Sequence, residues 1–133
     1  MILLDTDICI ALLRGYRHVI VRRSAEVESV AVASITAAEL FFGAEKSARP
    51  AQNRALVDAF LQTLPVLQTS LPILRLFGEI KASIVRAGCP LPDADILIAA
   101  TCLVRCDRLV TGNTAHFDRF PDLQIENWLV ERT

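Results

Sequence analysis

Residues 1–13 read MILLDTDICIALL, an apolar run followed by two acidic residues and a helical pattern. The run MILL lacks the alternation of a half-exposed strand and therefore predicts a buried one. The pattern from Thr6 to Leu13 predicts a helix that ends before Gly15. A buried strand that leads directly into a helix is typical of an α/β domain with a parallel sheet.

Strand and helix patterns alternate along the rest of the chain. Apolar runs predict strands at 30–34, 108–111 and 123–126, and PVLQ at 65–68 is a candidate for one more. Helical patterns cover 16–24, 36–45, 50–64, 72–87 and a stretch that begins at Pro92 and Asp93, with a turn-rich loop at 112–122. We predict a three-layer α/β/α domain with a mainly parallel central sheet of four to five strands. With 133 residues, the chain fits one domain spanning 1–133.

The composition indicates a cytosolic protein with a partner. Hydrophobic residues make up 53% of the chain and the mean hydropathy is +0.41, so we expect apolar surface that a partner or a second copy covers. No signal peptide opens the sequence, and the longest apolar run, 96–104, is too short to cross a bilayer. The cysteines lack zinc-binding spacing, and we expect them to be buried and reduced; they are Cys9, Cys89, Cys102 and Cys106.

The net charge of -1 lacks the basic excess common in nucleic-acid-binding domains, although a bound cation can supply positive charge locally. Four arginines nevertheless lie close together in the sequence; they are Arg14, Arg17, Arg22 and Arg23. The guanidinium group suits bidentate contacts with phosphate. A solvated helix face explains the same cluster equally well.

Three distant acids, Asp5, Glu39 and Asp95, each lie where a strand gives way to a helix or in the first turn of a helix. If the fold brings them together, each pair of carboxylates about 4 Å apart costs roughly 4 kcal/mol at an effective dielectric near 20. Three such pairs would cost about as much as the whole stability of a domain. A divalent cation would offset this repulsion, so the trio favours metal-dependent chemistry on phosphate.

Each acid also has a purely structural interpretation as part of a helix cap. Asp5 or Asp7 could cap the first helix, although one cap leaves the second acid unexplained. Residues 36–39, TAAE, have the spacing of a capping box. Asp93 suits the cap of its helix, which leaves Asp95 in the first turn, near the positive end of the helix dipole.

Four segments, taken in order, resemble the PIN domains and, more narrowly, the VapC-type toxin ribonucleases of bacterial toxin-antitoxin systems. They are LLDTDICIALL (3–13), SITAAELFFGAEKS (34–47), PLPDADILIAATCLV (90–104) and LVTGNTAHFDRFPDLQIENW (109–128). The resemblance implies an endoribonuclease dependent on Mg²⁺ or Mn²⁺. Attack by an activated water on phosphorus would leave a 5′-phosphate and a 3′-hydroxyl.

The resemblance places the catalytic and metal-binding acids at Asp5, Glu39 and Asp95. Its fourth position falls in T-G-N at 111–113, where this chain has Asn113, and His116 stands where many members carry another acid. The second metal ion of such sites would therefore lack an acidic ligand. Further candidate ligands are Asn113, Asp93 and His116; candidates for binding the substrate are Thr6, Arg14, Arg17, Arg22 and Arg23.

The resemblance also implies an RNA substrate, a VapB-type antitoxin that covers a groove near the active site, and a homodimer. Two alternatives stay open. The D-x-D after the first strand is similar to that of haloacid-dehalogenase-type phosphohydrolases, although Ile8 and Cys9 follow the second acid where that family usually has Thr or Val. A non-catalytic PIN-like module that only binds a partner would use the acids as helix caps.

Overall fold

The computed structural model describes residues 1–131. Its central sheet has five strands, all parallel, in the order β3-β2-β1-β4-β5. The strands are β1 (Ile2–Leu4), β2 (Val30–Ala33), β3 (Val66–Leu67), β4 (Arg108–Val110) and β5 (Ile125–Glu126). The helices are α1 (Thr6–Leu13), α2 (Arg17–Ala25), α3 (Ser34–Glu45), α4 (Pro50–Leu61), α5 (Leu71–Ala87), α6 (Asp93–Arg105) and α7 (Thr114–Phe117).

Two apolar cores cover the two faces of the sheet, because successive side chains of each strand point to opposite faces. Ile2 and Leu4 of β1 face a core formed with α1 to α4, whereas Leu3 faces a second core to which α6 contributes Ile98 and Ala99. All three β1 side chains are fully buried. This arrangement explains the unbroken apolar run at the start of the chain, and it confirms the predicted three-layer α/β/α fold with a parallel sheet.

Several local predictions were wrong. Helix α3 begins at Ser34, directly after β2, so Thr36 lies inside the helix and is fully buried. Thr36 therefore forms no capping box with Glu39. Asp93 makes no capping hydrogen bond, because Pro92 holds the N-cap position, and it instead forms an ion pair with Lys81 at 3.0 Å.

Four smaller differences concern the bounds of elements, one added helical turn and the exposure of the cysteines. The candidate third strand is present but has only two residues, and α4 ends at Leu61. The loop at 112–122 contains one turn of helix, α7. Cys89 is exposed and Cys106 partly so, whereas Cys9 and Cys102 are buried as expected. Among residues 1–131, no helix has the length and apolar character needed to span a membrane.

Candidate active site

The topology brings three strand ends together at one edge of the sheet. Strand β1 lies between β2 and β4, and all three run in the same direction. Asp5 follows β1, α3 follows β2 without a loop, and Thr111 follows β4. Ligands of such sheets bind beyond the carboxyl ends of the strands, so this edge is the expected place for a site.

Asp5 is the most deeply placed of the acids, with 5% of its surface exposed. Its Oδ1 accepts a hydrogen bond from the amide of Thr6 at 2.8 Å, and its Oδ2 accepts one from the hydroxyl of Thr111 at 2.7 Å. Burial raises the pKa of Asp5 to about 7, and the negative charges of Asp7 and Asp95 add to the effect against these two bonds. Asp5 thus both caps α1 and forms the centre of a cluster of acids.

Glu39 is joined to Asp5 through Thr6. The Thr6 hydroxyl donates to Glu39 Oε1 at 2.7 Å, while the Thr6 amide donates to Asp5. The same hydroxyl lies 3.1 Å from that of the buried Thr36. The sequence suggested Thr36 as the capping partner of Glu39. Thr36 instead contacts Thr6, and Thr6 orients Glu39.

Asp95 lies on α6 and is held by His116 of α7. His116 Nδ1 is 2.6 Å from Asp95 Oδ2 and 2.8 Å from the side-chain amide of Asn113. A ring nitrogen that donates to the carboxylate cannot also accept from an amide N–H. The amide orientation that turns the Asn113 oxygen toward His116 satisfies both contacts. His116 therefore positions Asp95.

Asp7 also belongs to this cluster. Its Oδ2 accepts a hydrogen bond from the amide of Gly112 at 2.8 Å, which ties α1 to the segment after β4. Burial raises the pKa of Asp7, and the charge of Asp95 raises it further, against the backbone amides of Gly112, Ile8 and Asp7 itself. We refer to Asp5, Asp7 and Asp95 as the carboxyl-end acids.

A groove of about 560 Å³ lies along α1, α3 and α4, beside Thr6 and Glu39. Thr6 and Glu39 line one part of it, and the basic side chains of Arg14 and Lys46 line another. Phe42 is 65% exposed on the same wall, and Lys46 Nζ lies 5.1 Å from the centre of its ring. The groove thus combines one acid, Glu39, with two cations and an exposed aromatic ring.

The four clustered arginines do not converge on the site. Only Arg14 lines the groove; Arg17 lies in a separate shallow depression beside Val130. Arg22 forms an ion pair with Glu126, and Arg23 donates to the Thr63 hydroxyl at 3.0 Å. A larger cavity of about 810 Å³ lies between α5 and residues 115–121, away from the acids.

Three participants were missed by the sequence reasoning. The hydroxyl of Thr111 and the amide of Gly112 bind Asp5 and Asp7, and Lys46 lines the groove. The position of T-G-N directly after a predicted strand was a usable signal for the first two. Nothing in the local sequence distinguishes Lys46 from a solvated lysine at the end of a helix.

The donor set fits a hard divalent cation. All the acids offer carboxylate oxygens, and one of these oxygens, Asp7 Oδ1, is buried without a hydrogen-bond partner among residues 1–131. Within that range, no three His, Cys, Asp or Glu side chains converge as a preformed coordination shell. Mg²⁺ needs none, because it keeps several waters and takes only one or two carboxylates.

Comparisons with known proteins agree with this geometry. A family model described as PIN domain matches residues 2–123. The chain belongs to the PIN-domain family.

The similarity to PIN-domain ribonucleases covers nearly the whole chain. The tRNA(fMet)-specific endonuclease VapC of Salmonella typhimurium is 35% identical over 127 residues, which cover 95% of this chain and 96% of that protein. Ribonuclease VapC2 of Haemophilus influenzae is 36% identical over 128 residues, covering 96% and 97%. The crystal structure of VapBC2 from Rickettsia felis, bound to a promoter DNA fragment, superimposes with a TM-score of 0.88 at 31% identity, covering 96% of this chain and 99% of that one.

The recognition of a VapC-type PIN-domain ribonuclease from four sequence segments is therefore confirmed. Membership of this family also removes the haloacid-dehalogenase interpretation of D-T-D at 5–7. In the PIN domain described above, those two acids face the segment after β4 and Asp95 of α6.

Proposed function

We propose that this PIN domain is a toxin that cleaves RNA with the help of Mg²⁺ or Mn²⁺, with Asp5, Glu39 and Asp95 as its catalytic acids. The observation that carries the proposal is the buried Asp5. Among the described residues, Asp5 accepts hydrogen bonds from a hydroxyl and an amide group. Burial and the nearby negative charges of Asp7 and Asp95 raise its pKa to about 7. A carboxylate held by neutral groups and surrounded by other acids favours the binding of a divalent cation.

The chain supports each acid with one other residue. Thr6 orients Glu39, Thr111 orients Asp5 and His116 orients Asp95. Of Asp5, Glu39 and Asp95, one or two would bind the ion directly and the rest would bind its waters. When bound, a divalent cation supplies a more acidic water and offsets negative charge on the phosphate.

The other candidate ligands differ in placement. His116 contacts Asp95 and Asn113 contacts His116, so both act on the metal site through the Asp95 side chain. Asp93 is exposed and paired with Lys81, which directs its carboxylate toward α5. We therefore assign Asp93 no part in holding the ion.

The RNA backbone would lie in the groove beside Glu39. Arg14 and Lys46 supply the cations that such a backbone needs, and binding through them would weaken as salt rises. Arg22 and Arg23 have partners within the chain, and Arg17 lines a separate depression, so Arg14 is the best placed of the four arginines. Because the Salmonella relative is a tRNA(fMet)-specific endonuclease, initiator tRNA is the first substrate to test.

A VapB-type antitoxin would neutralise the toxin by covering this groove. VapB and VapC proteins of Rickettsia felis and Salmonella typhimurium were crystallised together as VapBC complexes. Exposed apolar side chains along the groove, including Ile10, Phe42 and Leu56, would give such a partner a docking surface. A homodimer and a cytosolic location stay predictions.

The test uses protein purified free of partner and incubated with total RNA and tRNA, with and without Mg²⁺ or Mn²⁺. Asp5→Asn and Asp95→Asn should each lower cleavage by at least about 100-fold, the size of effect expected from removing one preorganised charge in a site. Asp58→Asn, an exposed acid on α4, is the matched control and should cleave normally. Mapped fragments should carry a 5′-phosphate and a 3′-hydroxyl.

Two results would contradict the proposal. Ends with a 2′,3′-cyclic phosphate would indicate attack by the ribose hydroxyl instead of by water. Equal toxicity of Asp5→Asn and the parent protein in cells, with partner binding intact, would support the non-catalytic binding module.

A further inference from the structure

The hydrogen bond from Gly112 explains only one of the two carboxylate oxygens of Asp7. One oxygen, Oδ2, accepts the Gly112 amide at 2.8 Å and completes the link between α1 and the segment after β4. The other oxygen, Oδ1, is buried and has no hydrogen-bond partner in the described part of the chain. A buried polar atom of this kind points to a missing water or ion.

The charge of Asp7 falls among the carboxyl-end acids. Asp5 accepts the hydroxyl of Thr111 and Asp7 accepts the amide of Gly112, so adjacent residues hold the two carboxylates. An asparagine would accept the Gly112 amide equally well without adding repulsion. The negative charge of Asp7 is therefore not explained by its structural bond.

The segment that Asp7 touches is the one in which a fourth acid was expected. Asn113 occupies that position, but it is neutral, exposed and turned toward His116. Asp7 reaches the backbone of the preceding residue, Gly112, from the other side. A side chain at residue 112 would collide here, because an added Cβ would lie 2.9 Å from Asp7 Oδ2 and 2.2 Å from Leu129 Cδ1.

We propose that Asp7 supplies the fourth negative charge of the divalent-cation site, with Oδ1 binding the ion or one of its waters. The inference rests on the proposed function, since it adds a ligand to the same metal site. Two of the acids of the site would then come from the start of α1, namely Asp5 at its N-cap and Asp7 in its first turn. Asn113 then needs no charge of its own.

The test measures metal binding without reference to activity. Partner-free protein is titrated with Mn²⁺ by calorimetry, and bound Mn²⁺ is followed by electron paramagnetic resonance. Asp7→Asn keeps an acceptor for Gly112 and removes only the charge. We expect Mn²⁺ affinity to fall on the order of 10- to 100-fold, the range known for residues that support a metal ligand, or one equivalent of metal to be lost.

Three further variants make the outcome decisive. Asp7→Asn combined with Asn113→Asp should recover part of the affinity, because the charge returns from the other side of Gly112. Asp58→Asn should bind Mn²⁺ like the parent protein. If Asp7→Asn does not fold, as judged by circular dichroism, Asp7→Ser repeats the test with a neutral oxygen.

The possible failures are distinguishable. Parent-like Mn²⁺ affinity and stoichiometry in a folded Asp7→Asn variant overturn the role of Asp7 and leave the proposed function standing, provided that Asp5→Asn has lost metal binding. Absence of Mn²⁺ binding by the parent protein itself overturns the metal-dependent function and the role of Asp7 together.

Discussion

Acidic side chains gather at two places in this molecule, and the groups that bind them differ between the two places. Around Arg108, at the start of β4, the carboxylates of Glu26, Glu28 and Glu126 lie 3.0, 3.2 and 2.9 Å from guanidinium nitrogens, and Arg22 pairs with Glu126 as well. We name this group the arginine-paired cluster. At the other place, the carboxyl-end acids are held by hydroxyl, amide and imidazole groups.

The pKa shifts show what the difference means. Glu126 is partly buried, which favours its neutral form, yet the hydrogen bonds from Arg108 and Arg22 help to lower its pKa overall. For Asp5, burial and like charges prevail and raise the pKa to about 7. Paired acids of the first kind hold a fold together. Acids left negative next to one another raise its free energy, which supports the proposal that the carboxyl-end acids bind a cation.

The largest effect on stability should come from Arg108→Ala. Three acids would then keep their charges beside β4, with Arg22 beside Glu126 and the N-terminal ammonium 3.6 Å from Glu28 as remaining cations. The partly solvated pairs reduce the cost, so we expect a loss of about 2–3 kcal/mol in the free energy of unfolding, measured in urea. Arg54→Ala, which breaks the exposed pair with Glu45, is the control and should change stability much less. Equal effects of the two would remove the distinction between this cluster and an ordinary surface pair.

The opposite sign is expected for Asp5→Asn in metal-free protein. The pKa of Asp5 rises from 3.8 to about 7, so the native state binds this proton more tightly than the unfolded state does. Stability is therefore lost as the pH rises from about 4 to about 7, up to roughly 4 kcal/mol at 1.36 kcal/mol for each pKa unit. Local relaxation reduces this, and we expect Asp5→Asn to gain about 2 kcal/mol at pH 8.

The gain should vanish below about pH 3, where Asp5 is neutral in both states, because that pH lies below its ordinary pKa of 3.8 as well. Urea unfolding of both proteins across this range isolates Asp5, because the histidines contribute equally to the two curves. Mn²⁺ should stabilise the parent protein and have less effect on Asp5→Asn. A variant less stable than the parent at pH 8 would show that the Asp5 charge supports the fold.

Features that depend on the local sequence were predicted better than features that depend on tertiary contacts. Apolar runs such as MILL, and helical patterns ended by Gly15 or Gly88, depend on local chain properties, and they located all five strands and six of the seven helices in the described range. The starts of α1, α4 and α6 were predicted correctly, but that of α3 was not, because a cap depends on where the preceding strand stops. Thr36 had the right spacing for a cap, but β2 runs directly into α3 and carries that residue into the core.

The site was predictable only in part for a related reason. Asp5, Glu39 and Asp95 stood at strand–helix boundaries, where topology makes distant segments meet. The contacts that orient them depend on three-dimensional register: Thr111 on Asp5, Thr6 on Glu39 and His116 on Asp95. No spacing rule distinguishes Arg14, which reaches the groove, from Arg22, which binds Glu126.

Gly112→Ala should disturb the carboxyl-end acids without changing a charge. The new methyl group would meet Leu129 at 2.2 Å and Asp7 at 2.9 Å, and neither can move away without breaking local packing or the bond to the Gly112 amide. We expect a loss of about 1–2 kcal/mol, in the range of overpacked sites, together with weaker Mn²⁺ binding. Gly78→Ala in α5 is the matched control, since nothing lies within 4 Å of its added Cβ. That variant should keep or raise stability, because alanine favours helix.

Glu126→Gln should have the smallest effect on stability, with a sign opposite to that of Asp5→Asn. The change is as conservative as Asp5→Asn, but it removes a carboxylate whose pKa Arg108 and Arg22 help to lower against its burial. A group with a lowered native pKa stabilises the fold above its ordinary value of 4.5 and loses that contribution as the pH falls. Because the pair is partly solvated, we expect a loss of only about 0.5–1 kcal/mol at pH 7, which shrinks toward pH 3. Urea unfolding of the two amide variants side by side would thus give curves that depart from the parent in opposite directions above pH 7. Should both variants shift the same way, burial alone, and not the presence or absence of a paired cation, would account for the two acidic regions.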